Sequence, residues 1–304
     1  MKEKSITALV SAFSRAYHSK NNEVKIFDDT VAEKILTHNE YEQISKTMAE
    51  GIGFFNPSFS GTQNEALRWI VDNQLSPSPL GRAAFTEQSL CNAVRIGALQ
   101  YVILGAGYDT FAYRQPIWAK NLQIFELDQI AVAEDKRNRL KNSGISIPDN
   151  LCYINADFTN QLWQDELQNN SKFDSKKITF CSLLGVTYYI SKDDFKNLIS
   201  SLSGMLTEGS SLVFDYPDDL SDTTQSDSRA KKQTMLAKQA NEKMCARYSY
   251  NELEKTLAEY GFLIYEHLTP SEITEQYFAD YNKANPQHII TAFDNVNYCL
   301  AVKK

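Results

Sequence analysis

Three short segments carry side chains suited to holding a nucleoside. Val102-Ile103-Leu104-Gly105-Ala106-Gly107-Tyr108-Asp109-Thr110 runs from a buried-strand pattern into a Gly-x-Gly turn. Glycine reaches positive φ and has no Cβ, so a ligand can approach the backbone closely there. About 20 residues beyond Gly105, Phe125-Glu126-Leu127-Asp128 ends a second apolar run in a carboxylate, the spacing at which an acid meets a ribose diol in doubly wound folds. Hydrogen bonds of this charged kind are worth roughly 1.5–3 kcal/mol each. A third run closes on Asn155-Ala156-Asp157-Phe158. Its acid can hydrogen-bond an adenine amine while the neighbouring ring covers the base. Polar groups at three successive strand ends match the place where ligands bind in open α/β sheets.

The identity of the nucleoside turns on Thr110. A dinucleotide fingerprint wants a third glycine there, so that helix and strand pack closely at the pyrophosphate. Threonine, preceded by Tyr108 and Asp109, suits an adenosine without a diphosphate. That points to S-adenosylmethionine, with NAD as the alternative. Asp109, Asp128 and Asp157 also form a set of oxygen ligands of the kind Mg²⁺ takes, but no phosphate-transfer motif accompanies them and no metal site is expected. The sequence contains no H-E-x-x-H, G-x-S-x-G or Walker motif.

The elements that must position these residues follow from the patterning. Residues 1–98 read as helical, with apolar residues at three- and four-residue spacings in Val31–Leu36, Glu65–Gln74 and Glu87–Leu99. Turn-forming patches separate them at Asn21–Asn22, Gly51–Pro57 and Ser76–Pro79. From Gln100 the pattern changes to short β-branched or aromatic runs: Tyr101–Leu104, Gln123–Leu127, Cys152–Asn155, Ile178–Leu184 and Ser211–Phe214. Helix-length segments lie between them, Ile130–Asn142 the clearest, which is the signature of βαβ units and a parallel sheet. Phe262–Leu268 and Val296–Val302 are expected to complete it. Within 217–250, Pro217–Ser228 holds four Asp, five Ser or Thr and one Leu, too little apolar surface to anchor itself. A basic amphipathic helix, RAKKQTMLAKQANEKM, follows. The stretch reads either as a solvated insertion or as a lid over the site.

Composition bounds the function. The 304 residues are 42% hydrophobic and 23% charged, near globular averages, and the mean hydropathy is -0.41. No apolar run suits a membrane-spanning helix, and the start, MKEKSITALVSAF, lacks the features of a signal peptide. A net charge of -7 speaks against nucleic acid as a partner. Five scattered cysteines with no C-x-x-C pair fit a reducing cytoplasm. Oligomeric state is not legible.

Longer strings carry a family resemblance. GALQYVILGAGYDTFAYRQPIW, IFELDQIAVAEDKRNRL, INADF and SLLGVTYYI, with the earlier SRAYHSKNNEVKIFDDTVAEKIL and PLGRAAFTEQSL, resemble the leucine carboxyl methyltransferase family over nearly the whole chain. The similarity is greatest to bacterial methyltransferases and polyketide-tailoring carboxyl O-methyltransferases. The resemblance implies an α/β fold, the Rossmann-like class I methyltransferase sheet of seven strands in residues 99–304, with an N-terminal helical cap in 1–98. It implies that Arg82 grips the methionyl carboxylate of S-adenosylmethionine, a task suited to a planar guanidinium; a solvated surface arginine is the competing reading. By the same resemblance, Gly105, Ala106 and Gly107 line the methionine, Asp128 holds the ribose, and Asp157 and Phe158 frame the adenine; Tyr189 lies near methyl transfer and is a catalytic candidate, with a plain core aromatic as the competing reading. Much of the family carries Glu where this chain has Leu184, which removes a polar contact near the cofactor but leaves Leu184 among the residues expected to bind it.

The reaction expected is O-methylation of a small-molecule acceptor. A carboxylate is ionised at pH 7 and needs no general base, whereas a phenol, with a pKa of about 10, profits from one. The histidines are His18, His38, His267 and His288. His18 lies in the cap and is the candidate base among them; a structural role is the competing reading. Phe54, Phe55 and Phe59 are either core or the wall of an acceptor pocket. Two other classes remain beside the methyltransferase: an NAD-dependent oxidoreductase and a non-catalytic nucleoside-binding module.

Overall fold

The computed structural model describes residues 5–159, 162–219, 228–239 and 242–304. Seven strands form one sheet: β1 Gln100–Leu104, β2 Gln123–Asp128, β3 Leu151–Asn155, β4 Thr179–Leu183, β5 Ser211–Pro217, β6 Phe262–Leu268 and β7 Val296–Lys303. Their order is β3-β2-β1-β4-β5-β7-β6. β1 to β5 pair in parallel, and β7 runs antiparallel to both β5 and β6. The strands expected from sequence form, with ends displaced by a residue or a few, and Ile130–Asn142 is a helix with the bounds its pattern gives.

Alternation along β1 shows why apolar runs were needed. Successive side chains leave a strand on opposite faces. Val102 and Leu104 enter a core with Phe125, Leu127, Phe195 and Leu202, whereas Tyr101 and Ile103 enter another with Phe85, Ile124, Phe180 and Tyr298. Covering both faces leaves no polar stripe. Each large apolar side chain buried this way contributes roughly 1.5–3 kcal/mol. Sheet order reverses direction between β1 and β4, and the crevice opens beyond the carboxyl ends of the strands on either side of that switch.

The N-terminal third differs from its pattern in detail. Val31–Leu36 yields only a short helix, Ala32–Ile35. Gln63–Ile70 begins at a Thr62/Glu65 capping box and runs on as a π-helical turn, Val71–Leu75. The turn expected at Ser76–Pro79 is instead the start of the 19-residue helix Pro77–Arg95. Proline is well suited to a first helical turn, because its fixed φ is already helical and its missing N–H has no intrahelical partner to lose. Gly51–Pro57 likewise contains the short helix Ile52–Phe55. The basic helix runs over Ser228–Gln239, shorter than its pattern. Most of the loose stretch before it, 220–227, lies outside the described residues.

Candidate functional site

A cavity of about 1950 Å³ opens beyond the carboxyl ends of the strands. Arg82, Gly105, Ala106, Gly107, Asp128, Asp157, Phe158, Leu184 and Tyr189 all line it. The Gly-rich turn is pinned to β2, for the N–H groups of Gly105 and Ala106 donate to the Leu127 carbonyl at 2.9 and 3.0 Å. Gly105 has φ +71°, and a Cβ there would lie 2.5 Å from Val186 Cγ2. Asp128 ends β2 against this turn: Oδ2 accepts the Gly107 N–H at 2.6 Å and Oδ1 accepts the Gln129 N–H at 2.7 Å. Burial raises its carboxyl pKa, and those two N–H groups oppose the shift. Each carboxylate oxygen retains acceptor capacity for a further donor. At the end of β3, Asp157 Oδ1 accepts the N–H and hydroxyl of Thr159 at 3.0 and 2.7 Å. Phe158 meets Trp163 edge-on, with ring centroids 5.6 Å apart.

Arg82 comes from the second turn of helix Pro77–Arg95. Its Nη1 donates to Asp215 Oδ2 at 3.2 Å. Asp215 is fully buried in β5 and also accepts the Gly185 N–H at 2.6 Å and the Tyr188 hydroxyl at 3.0 Å. Gly185 has φ +68°, and a Cβ on it would fall 2.4 Å from Arg82 Nη1. Only glycine therefore lets the guanidinium lie against this turn. Sequence reasoning missed Asp215. Its signal was an ionisable residue inside SLVFDYP, a run whose other residues suit a fully buried strand, since aspartate is rarely buried without partners.

A buried ionic lattice joins the N-terminal helices to the Gly-rich turn. Arg15 Nε donates to Asp29 Oδ2 at 2.8 Å, and its Nη2 donates to the Tyr108 carbonyl at 2.7 Å. Thr110 Oγ1 donates to Asp29 Oδ1 at 2.7 Å and accepts Arg114 Nε at 3.0 Å. Arg114 in turn grips Glu87 through both terminal nitrogens. Burial acts to raise the Asp29 pKa, but the Arg15 and Arg114 guanidinium groups bring it below its ordinary value. The Thr110 hydroxyl is thus a structural link where a dinucleotide fold would need glycine.

His18 stands elsewhere. It is buried outside the cavity lining, and its Nε2 accepts the Ile26 N–H at 3.0 Å. Burial, reinforced by Arg68, lowers its pKa to about 4 and keeps it neutral. None of Phe54, Phe55 and Phe59 lines the cavity either; Phe55 belongs to a core with Phe13 and Ile70. Tyr189 does line it, and burial raises its phenol pKa. The roof is built by helix Ser228–Gln239 and residues 242–247. Lys232 Nζ donates to the Phe55 carbonyl and Gln233 Nε2 to the Gln74 carbonyl, both at 2.7 Å. Glu242 accepts the hydroxyls of Ser5, at 2.9 Å, and of Thr7. Among the described residues, no group of three or more His, Cys, Asp or Glu side chains could hold a metal ion, and no helix is long and apolar enough to cross a membrane.

Five parallel strands, an antiparallel β7 inserted beside β5, and a cavity over the β1/β4 switch define the class I methyltransferase fold. Two crystal structures share it at TM-scores of 0.57: a Thermobifida fusca YX protein described as a methyltransferase, with 13% identity over 99% of this chain and 96% of that one, and a DUF574 family protein of Streptomyces avermitilis MA-4680, with 11% identity over 97% of each. The leucine carboxyl methyltransferase family model matches residues 8–203. The chain belongs to that family and is an S-adenosylmethionine-dependent methyltransferase. A Bacillus subtilis (strain 168) protein, provisionally named the S-adenosyl-L-methionine-dependent methyltransferase YktD, is 40% identical over 99% of both chains. A Mycobacterium marinum protein given the same provisional description is 29% identical over 56% of each.

Proposed function

We propose that the enzyme methylates a carboxylate oxygen of a small-molecule acceptor, in a site walled by the N-terminal helical cap, residues 1–98. The observation that carries this reading is the position of the histidines. His18 is buried away from the cavity, His267 bonds the Tyr216 hydroxyl at 2.8 Å, His288 lies 3.5 Å from Asp72, and neither these nor His38 lines the cavity. A carboxylate acceptor, which ordinarily titrates near pH ~4, is already ionised and asks for no base.

S-adenosylmethionine supplies a methyl group on a sulfonium centre whose departure needs no proton. The chain's task is to bind and align, which can lower a barrier by roughly 7–11 kcal/mol. In this reading Arg82 holds the methionyl carboxylate, Gly105, Ala106 and Gly107 allow close approach, and Leu184 packs beside them. Asp128 accepts from the ribose hydroxyls, and Asp157 with Phe158 frames the adenine. The fit is supported by the acceptor capacity left on Asp128 and by the Nε and Nη2 donors of Arg82, which lines the cavity and spends Nη1 alone on a hydrogen bond among the described residues. The cavity exceeds the roughly 300–1,000 Å³ of a typical single-ligand pocket, which leaves room for an acceptor beneath Leu75, Leu236, Met244 and Val296. A nicotinamide dinucleotide is not favoured, because Thr110 is committed to Asp29 and Arg114. The five free cysteines support a reducing, cytoplasmic setting.

The test is to incubate the enzyme with methyl-labelled S-adenosylmethionine and a panel of carboxylic acids and phenols, then treat the products with alkali. Label released as methanol marks an ester and supports the proposal. Label retained through alkali marks an ether and assigns a hydroxyl acceptor instead.

A further inference from the structure

We propose that Asp215, which does not itself line the cavity, is the positioning residue that presents Arg82 to the carboxylate end of the cofactor. The inference rests on the reading of Arg82 given above and adds a part to it.

Two separate elements converge on this one carboxylate, which a third carries. It sits on β5, fully buried, and takes a guanidinium N–H from helix Pro77–Arg95 at 3.2 Å. From the turn after β4 it takes the Gly185 N–H at 2.6 Å and the Tyr188 hydroxyl at 3.0 Å. Its own backbone carbonyl accepts the Thr187 hydroxyl at 2.5 Å. A buried carboxylate is costly unless paired and hydrogen-bonded, and here both conditions are met by groups that edge the cavity.

The consequence for Arg82 is orientation. A guanidinium has five N–H donors in a fixed planar fork. Nη1 is spent on Asp215, while Nε and Nη2 have no hydrogen-bond partner among the described residues, and the side chain lines the cavity with 19% of its surface exposed. One corner of the fork is therefore tied to the sheet and the rest is left for an incoming anion. Arginine carries large rotamer entropy, and a fork already held in place gives up less of it on binding. The turn at Gly185 cooperates, since its missing Cβ is what admits Nη1. Asp215 thus fixes both the guanidinium and the backbone against which it lies.

Asparagine at 215 would keep the shape but turn one acceptor into a donor, so Arg82 and Gly185 could not both be satisfied. The experiment compares two ligands by calorimetry: S-adenosylhomocysteine, which has the amino-acid carboxylate, and 5′-methylthioadenosine, which lacks it. For Asp215→Asn the expected result is an affinity for S-adenosylhomocysteine about tenfold lower, the scale of one charged hydrogen bond, with that for 5′-methylthioadenosine changed less than about twofold. An equal loss for both ligands, unfolding included, makes Asp215 a residue of the fold and overturns the proposal, as does no loss for either. A second pair of variants separates this from the reading of Arg82. Arg82→Ala should itself lower the ratio of the two affinities about tenfold or more, and adding Asp215→Asn to it should lower the ratio less than about twofold further. If Arg82→Ala leaves the ratio unchanged, the assignment of Arg82 fails. If Arg82→Ala lowers it and Asp215→Asn alone does not, or if Asp215→Asn lowers it by a further tenfold in the Arg82→Ala background, the positioning role fails while Arg82 stands.

Discussion

The floor and the roof of the cavity are held by different kinds of bond. On the floor, strand ends are tied by short contacts that involve backbone: Gly105 and Ala106 to the Leu127 carbonyl, Gly107 to Asp128, Gly185 to Asp215. On the roof, long side chains of helix Ser228–Gln239 reach carbonyls of other elements: Lys232 to Phe55, Gln233 to Gln74, Arg229 to Ala292 at 2.8 Å. Contacts of the first kind move only if the sheet moves. Those of the second are carried by long side chains, whose rotamers can change without moving the sheet. A floor of this design suits the cofactor, which is the same in every turnover. The releasable roof suits an acceptor that must enter and leave.

The sharpest way to break this contrast is to disturb the floor at one carbon. Gly185→Ala adds a Cβ where φ is +68° and where Arg82 Nη1 lies 2.4 Å away. The strain of a left-handed alanine, about 1–2 kcal/mol, falls on free and bound enzyme alike and lowers stability; the displaced guanidinium, at about 1.5–3 kcal/mol for each charged hydrogen bond lost, should lower affinity for S-adenosylhomocysteine by up to about a hundredfold, or about 3 kcal/mol, by calorimetry. An affinity unchanged within about threefold would show that the floor is not rigid in the sense described.

The first helix contributes to the roof through Thr7 and to the core through His18, and its tie should be visible in pH. His18 is lowered by burial to about 4, so between its ordinary pKa of about 6.5 and 4 the unfolded chain binds the extra proton. Stability is therefore full above pH 6.5 and is lost as pH falls through that window. The opposite slope from Asp72, which burial raises to about 6, is common to parent and variant and drops out of the difference. His18→Gln should flatten the acid side of the parent's urea-denaturation profile by about 2–3 kcal/mol, and superimposable profiles would contradict the assignment.

A smaller effect is expected from the roof. Lys232→Ala combined with Gln233→Ala removes two contacts worth about 0.5–1.5 kcal/mol each. Amide exchange in 228–239 should quicken about tenfold while affinity for S-adenosylhomocysteine changes less than about twofold. A parallel loss of cofactor affinity would merge roof and floor into one unit. Smallest of all should be Leu184→Ala, because no polar contact from this position to the cofactor is proposed; a change beyond about threefold in the same titration would show that the leucine carries binding.

What the sequence disclosed follows the same division. The strands of the floor are legible because a parallel sheet covered on both faces demands uninterrupted apolar runs, and the Gly-x-Gly and Asp128 stand out against them. Arg82 needed the longer family strings, since a single arginine in a helix has no local signature. Sequence reasoning missed Asp215 because, among the described residues, its burial is compensated by Arg82, Gly185 and Tyr188, all distant in sequence. The turn at Ser76–Pro79 failed for a related reason. Local Ser and Pro chemistry favours a turn, yet it also favours a helix start, and packing of Leu80, Phe85 and Leu90 in the interior decides for the helix. Thr110 reads in the sequence as unfit for a dinucleotide turn, but its bond to Asp29 joins elements that no local pattern connects.

The central claim is that the ends of β1 and β2 hold the adenosyl cofactor, and Asp128 tests it most directly. S-adenosylhomocysteine should be titrated into the full chain and into Asp128→Ala under the same conditions. The account predicts binding by the parent and an affinity at least about tenfold lower in the variant, the loss of about 1.4 kcal/mol or more. Equal affinity in the two proteins would contradict it.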